Sequence, residues 1–376
     1  MSIQSEIDRI ITAVGSAYDA VESKGGTAPA AQTIGGLAAA VGTIPTGIAP
    51  QIVVTTSAGA TVTATNGSKT ISGTADSTGV CTLTVPETGT WSVSATLGGQ
   101  TSETKTVSIM GSYAVALSFV SSTLNNNEWS VIKSVSDAGQ GANYWSIGDR
   151  KAVTLNGTVG ALTLSNYTTY AFIIGFNHNA SVEGANRIHF QLAKTALSGG
   201  KDVCLCDRYY GITGGGFCMN TRESNSGGWA SSNMRTAICG TSLSSYSGTI
   251  IAVIPAALRA VLKSVTKYTN NTGYSSDASA VTATADYFFL LSEYEVFGST
   301  TYSNRNEASK QAQYSYYSAG NSKIKYKHNG TSTAAIWWLR SPRASDSFNF
   351  VRVYDDGKVK YASAFASLGF APGFCV

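Results

Sequence analysis

Glu293 and Glu295 form the best-spaced acidic pair in the sequence. A glycosidase needs two carboxyls roughly 5–9.5 Å apart in a cleft. Read as an extended segment, the stretch LLSEYEVFG would hold these two on one face, roughly 7 Å apart; the competing reading is a solvated strand end or a buried polar link. His178 and His189 flank a loop that also carries Asn177, Asn179 and Glu183. A metal centre needs ligands converging on one point, and strand alternation does not bring these histidines together, so no metal and no cofactor is expected. Gly214, Gly215 and Gly216 are not followed by the Lys-Ser/Thr pair of a phosphate-cradling loop and read as a bend or a close backbone approach. The six cysteines force no disulfide framework in a chain of 376 residues, and Cys204-Leu-Cys206 lacks the C-x-x-C spacing of zinc or redox sites. They read as small buried apolar groups.

Recognition is better represented than catalysis. In the C-terminal stretch from Ile336 to Val376, Trp337, Trp338 and Arg340 offer aromatic faces and a forked guanidinium that suit glycans, although core roles account for them better. After Pro342, read as a stop, comes a strand, turn and strand. Along Phe348 to Tyr354, Val351 and Val353 fall on one face and Phe350, Arg352 and Tyr354 on the other. Asp355, Asp356 and Gly357 form the turn, and Lys358 to Phe365 returns. The displayed side would combine Phe350, Arg352, Tyr354, Lys360, Tyr361, Ser363 and Phe365 with loop residues Arg343, Ser345, Asp346, Phe348 and Asn349, a composition enriched at binding hot spots. Phe370, Pro372, Phe374 and Cys375 read as a closing edge strand.

These residues need a scaffold, and composition bounds it. Charged residues make up only 13% of the chain, with 39 glycines and 19 tyrosines, which favours β-rich structure; at about 150 residues per domain, two or three domains are expected. Residues 1–120 carry 4 basic and 7 acidic side chains, and residues 121–376 carry 22 and 15. That basic balance is spread through many segments, so no nucleic-acid partner is expected. Neither a secretory signal pattern nor an apolar run of roughly 18 residues is present, so membrane insertion is not expected.

Residues 1–48 read as a helical attachment and trimerisation segment. Ile3, Ile7, Ile10, Val14, Ala17 and Val21 are spaced 4, 3, 4, 3 and 4, a heptad seam whose isoleucines favour three or more strands; Ser2 or Ser5 can cap the start, and Gly25-Gly26 stops it. The alternative is one amphipathic helix docked on its own chain. A second helical stretch covers Ala31 to Val41, and Pro45, Gly47 and Pro50 mark a boundary. Residues 49–120 present about seven Val/Thr/Ser strands between Gly-rich turns, with Trp91 as core anchor, the pattern of an all-β Ig-like sandwich serving as a spacer. Residues 121–376 form a third, α+β domain. A helix is expected after Pro255 on Leu258, Val261, Leu262 and Val265; strands are expected at Ala171 to Phe176, Arg187 to Leu192 and Tyr287 to Leu291. Asn220 to Asn233 and Lys267 to Ala280 read as loops.

WWLRSP, followed by a DG hairpin and GFAPGFC, resembles the C-terminal signature of a bacterial and bacteriophage domain family of unassigned chemistry. YWSIGDRK (from Tyr144), FIIGFNHN (from Phe172), Met219 to Arg235, DYFFLLSEYEVFG (from Asp286) and QYSYY (from Gln313) match it in the same order. The family looks related to C-type-lectin-like folds, including the variable proteins of diversity-generating retroelements. The resemblance implies a C-type-lectin-like domain over residues 121–376. Diversified relatives vary the equivalent C-terminal positions mostly to Asn, Ser and Tyr, which are fewer here. Lectin-like folds also host oxidases that make formylglycine from cysteine, but the cysteine pairing they use is not recognisable in this sequence. The N-terminal segment resembles the helical openings of phage tail and baseplate proteins. Together these imply a homotrimeric phage or phage-like tail protein that reaches baseplate partners through its N-terminus and binds a bacterial surface receptor, glycan or protein. It would be made in the host cytoplasm, carried on the virion tail and act outside the cell. A tail-borne depolymerase or hydrolase using Glu293 and Glu295, and a structural baseplate or capsid decoration protein, are the alternatives.

Overall fold

The structure is a computed structural model that describes residues 3–44 and 49–376; Ser2, Pro45 and Gly47 lie outside the described residues. The chain forms two compact units, Met1–Phe119 and Val120–Val376. In the first, the helix Ile3–Ser23 is stopped at Gly25, whose φ is +79°, a left-handed value glycine takes without steric cost. Its last turns fold back on the chain: Tyr18 and Val21 are buried with Ala40 of the short helix Leu37–Val41, and Val14 packs on them. The Tyr18 hydroxyl donates to the Thr33 carbonyl at 2.7 Å. Val21 therefore belongs to an internal contact and not to an open heptad seam, because the second helix covers it. Ala17 is half-buried. Ile3, Ile7 and Ile10 remain exposed, Ile3 at 83%.

The rest of this unit is β. One sheet runs Val80–Thr84, Gln51–Thr55, Ser112–Ala116; a second runs Thr70–Thr74, Thr61–Thr65, Gly89–Leu97, Gln100–Thr101, with Lys105–Ile109 also paired to Gly89–Leu97. Alternation along each strand delivers Val54, Val62, Val93 and Ile109 to one apolar core around the fully buried Trp91.

The second unit centres on an antiparallel five-stranded sheet in the order Phe288–Phe289, Gly373–Cys375, Ile188–Lys194, Leu162–Phe176, Arg150–Val159. The C-terminal strand is thus an inner strand, hydrogen-bonded on both sides, where the sequence suggested an edge. All three of its residues are also buried, so it is covered on both faces, and such a strand shows no alternation. Trp337–Pro342, Asn349–Val353 and Val359–Ser363 make a separate three-stranded antiparallel sheet, so Pro342 ends a strand. The helix expected after Pro255 is only Ala256–Arg259; Val265 already starts the strand Val265–Asn270, which pairs with Val281–Asp286. Lys267 therefore sits on a strand where the sequence suggested a loop. Among the described residues, no helix is long and apolar enough to cross a membrane.

Candidate functional site

Glu293 and Glu295 lie on a short helix, Glu293–Phe297, and not on a strand. Ser292 caps it: its hydroxyl accepts from the Glu295 amide at 3.0 Å, and the Glu295 carboxylate accepts from the Ser292 amide at 2.9 Å. This reciprocal pairing is a capping box. Both carboxylates are fully buried and differently engaged. Glu293 accepts backbone N–H groups from Thr301 at 2.6 Å and Ser303 at 2.7 Å, tying down the following loop. Glu295 takes a forked pairing from Arg340 and, at 2.9 Å, the ammonium of Lys267. Neither faces a cleft, so the pair lacks the opening a glycosidase requires.

The histidines that sequence separation kept apart meet in this same core. His178 stacks on Tyr314 with ring centroids 3.7 Å apart, and His189 lies 5.5 Å from His178. His178 lies in the turn that follows Leu162–Phe176, and His189 lies on the next strand, Ile188–Lys194, which folds back to pair with it. Ligand atoms of His178, Glu183 and Glu295 lie within 4.8 Å of one another, spacing a metal could use. The cation there is Lys267: its ammonium donates to Glu183 at 2.7 Å, Glu295 at 2.9 Å and the Tyr314 hydroxyl at 2.8 Å, using all three of its protons. Lys267 supplies the positive charge that balances these carboxylates, while the buried His178 Nε2 has no hydrogen-bond partner. Burial and the neighbouring Lys267 push the His178 imidazole down to about 3, and burial pushes Glu183 up to about 7. Burial opposes ionisation of Glu295, but Arg340 and Lys267 outweigh it and hold the carboxyl well below the usual range.

Arg340 and both tryptophans of WWLRSP are fully buried. Trp338 donates its indole N–H to the Phe217 carbonyl at 2.9 Å, and Arg340 reaches Thr269 at 2.8 Å as well as Glu295. This strand roots the C-terminal hairpin in the ionic core, with Trp338 directly opposite Arg352.

The hairpin does not display one face of recognition residues. Register pairs Arg352 with Lys360, Phe350 with Ala362 and Val351 with Tyr361, and cross-strand partners share a face. Arg352, Tyr354 and Lys360 therefore stand on one side, where the Tyr354 ring receives the Arg352 guanidinium at 5.2 Å and the Lys360 ammonium at 4.2 Å. Phe350 points the same way but is fully buried, because the sheet packs there along part of its length. Tyr361 stands on the opposite side, stacked under Arg343 at 3.7 Å and edge-on to Tyr302 at 5.0 Å. Beside it, Arg343 pairs with Asp346 at 2.6 Å, Ser345 and Phe348 are exposed, and Asn349 and Ser363 are half-buried.

The loop is held rigidly. Buried Asn225 donates to the carbonyls of Arg343, Asp346 and Asn349 at 3.2, 2.8 and 2.9 Å, a role its place in a polar, Gly-rich stretch did not advertise. Arg343 and Arg352 each keep a buried Nε without a hydrogen-bond acceptor. Phe365 leaves the hairpin altogether and lies against Gly214, where an added Cβ would come within 2.8 Å of its ring. Lys267 and Tyr314 also escaped sequence reasoning; the usable signal was Val265, Lys267 and Thr269 on one strand face, an apolar-flanked lysine in an alternating run.

Residues 204–376 match the model of a family described as a domain of unknown function (DUF6273). The match covers under half of the chain and includes the hairpin, Lys267, Glu295 and Arg340. No curated protein matches the chain.

Proposed function

We propose that this chain is the receptor-binding protein of a phage or phage-like tail: an N-terminal segment that joins three copies, an Ig-like spacer, and a C-type-lectin-like domain that attaches the particle to a bacterial surface. The observation that carries this reading is the C-terminal hairpin, where Phe348, Lys360 and Tyr361 are exposed beside half-buried Arg343, Arg352 and Tyr354, on a loop pinned by Asn225 and a sheet pinned through Arg340. Groups fixed before binding lose little entropy on binding, so a small surface can hold a partner. Exposed Ile3, Ile7 and Ile10 support the trimer, since an apolar ridge at heptad spacing is stabilised by like ridges. Three weak sites on one particle bind together more tightly than one. The test is adsorption of the labelled full chain to a panel of bacterial cells of both envelope types. Saturable binding to some cells and not others is expected, competed by envelope extract from the binding strains; uniform absence of binding would defeat the reading.

A further inference from the structure

Apart from the hairpin faces, the second unit contains a concave site. A hollow of about 620 Å³ opens beside Gly214, Gly215 and Gly216, and a second of about 380 Å³ adjoins it, the two sharing Thr221 and Asn233. Volumes of roughly 300–1,000 Å³ are usual for small-molecule sites. The glycines, at φ +80°, +110° and +61°, build a bare floor: a Cβ at Gly216 would fall 1.8 Å from Asp207, and one at Gly215 would meet the Tyr209 ring at 3.5 Å. Tyr209 and Phe365 provide aromatic walls at the first hollow. The Arg208 guanidinium is exposed, lies 4.8 Å from the centroid of the Tyr209 ring and donates to its hydroxyl at 2.9 Å. Arg222 lines the second hollow with hydroxyl and amide side chains. Among the described residues, no carboxylate lines either hollow; Asp207 lies beneath Gly216, bound to Ser367 at 3.1 Å. One wall comes from the π-helical turn Met234–Cys239, a rare geometry that is frequent at functional sites.

A saccharide ring has apolar C–H faces that lie on aromatic rings and hydroxyl edges that need polar partners, and an acidic substituent adds a planar anion that a guanidinium can fork. The groove offers all three kinds of group along one path. We propose that it binds an oligosaccharide carrying carboxylate groups, with Tyr209 and Phe365 as platforms and Arg208 and Arg222 as anion partners. The identity of the glycan class rests on the surface-attachment reading above; the existence of the groove site does not.

Titration calorimetry of the full chain tests it with trigalacturonate, a hyaluronan tetrasaccharide and sialyllactose as acidic probes and maltotriose as the neutral one. At least one acidic probe should bind saturably, at least tenfold tighter than maltotriose. Arg208→Gln, Tyr209→Ala and a surface block, Thr221→Trp, should each weaken it tenfold or more while the melting temperature stays unchanged. Binding by none of the acidic probes, equal binding of maltotriose, or indifference to all three substitutions would overturn the proposal. If cells are bound equally well by Arg208→Gln and Tyr209→Ala, the groove fails as the receptor site and the hairpin reading stands. If acidic probes bind the groove but the chain adsorbs to no cell, the groove proposal survives and the attachment reading fails.

Discussion

The two units solve the problem of a stable interior in opposite ways. The sheets of Met1–Phe119 close on an apolar core that includes Trp91, and strands such as Gln51–Thr55, Thr61–Thr65 and Gly89–Leu97 reach it by simple alternation. Val120–Val376 surrounds its large apolar cluster with buried charge: Lys267, Glu183, Glu295 and Arg340 in one network, and Glu307 nearby. An apolar core is tolerant, because exchanging one hydrophobic group for another of similar volume costs little. A buried ionic network is not, because removing one member strands the others in a medium that cannot solvate them. The second design fixes geometry: Arg340 can occupy one place only, and the hairpin strand beside it is fixed with it. The unit that holds this network is also the unit whose hairpin we propose as the receptor-binding surface.

That contrast can be broken at several points. The largest effect is expected for Glu295→Ala, which leaves Lys267 and Arg340 without their shared anion and should destabilise the second unit by about 3–5 kcal/mol. Trp91→Ala should cost the first unit about 3–5 kcal/mol by cavity formation alone. Segment-resolved hydrogen exchange would assign each loss to its unit; loss of protection among residues 51–116 in Glu295→Ala would contradict the contrast.

The pH response should be next in size. His178 is neutral in the fold down to about 3, and His189 is likewise held well below its ordinary value, chiefly by burial. The unfolded chain takes up these protons first, so their contribution is present above about pH 6.5 and is lost as pH falls. Glu183 and Glu307, both raised to about 7 chiefly by burial, act in the other sense, adding stability as pH falls from about 7 to about 4.5. The two effects oppose each other between about pH 6.5 and 4.5. Below that window the glutamates add nothing more, the histidines still oppose folding, and the contribution of Glu295 is lost as its carboxyl protonates. Urea midpoints should be nearly level from pH 6.5 to 4.5 and fall steeply below; a steady decline beginning at 6.5 would mean that the raised carboxyls play no part.

A smaller effect should follow from Ile7→Ser with Ile10→Ser. Both are exposed, so monomer stability should change by no more than about 0.5 kcal/mol. Sedimentation equilibrium should report a trimer for the unaltered chain and monomer for the double variant; trimers in both would place association elsewhere.

The first unit was the more legible in sequence for the same physical reason. Strands such as Gln51–Thr55 and Gly89–Leu97 bury every second residue, and period two can be read directly. In the second unit the decisive contacts join positions far apart. Lys267 to Glu183 and His189 to Tyr314 follow no local period, and a buried lysine looks like a solvated one until its partners are known. Glu293–Phe297 was misread because Tyr, Val and Phe favour strands, although Ser292 and Glu295 already had the three-residue spacing of a capping box. The hairpin and its turn were legible, but not its faces: register placed Tyr361 behind the strand from Arg352 and buried Phe350.

The most direct measurement is cell adsorption by the full chain carrying Arg352→Ala and Lys360→Ala. Lys360 is exposed and Arg352 half-buried, on paired strands anchored elsewhere, so the melting temperature should hold while adsorption falls at least tenfold. Unchanged adsorption at unchanged stability would contradict the assignment of receptor binding to this hairpin.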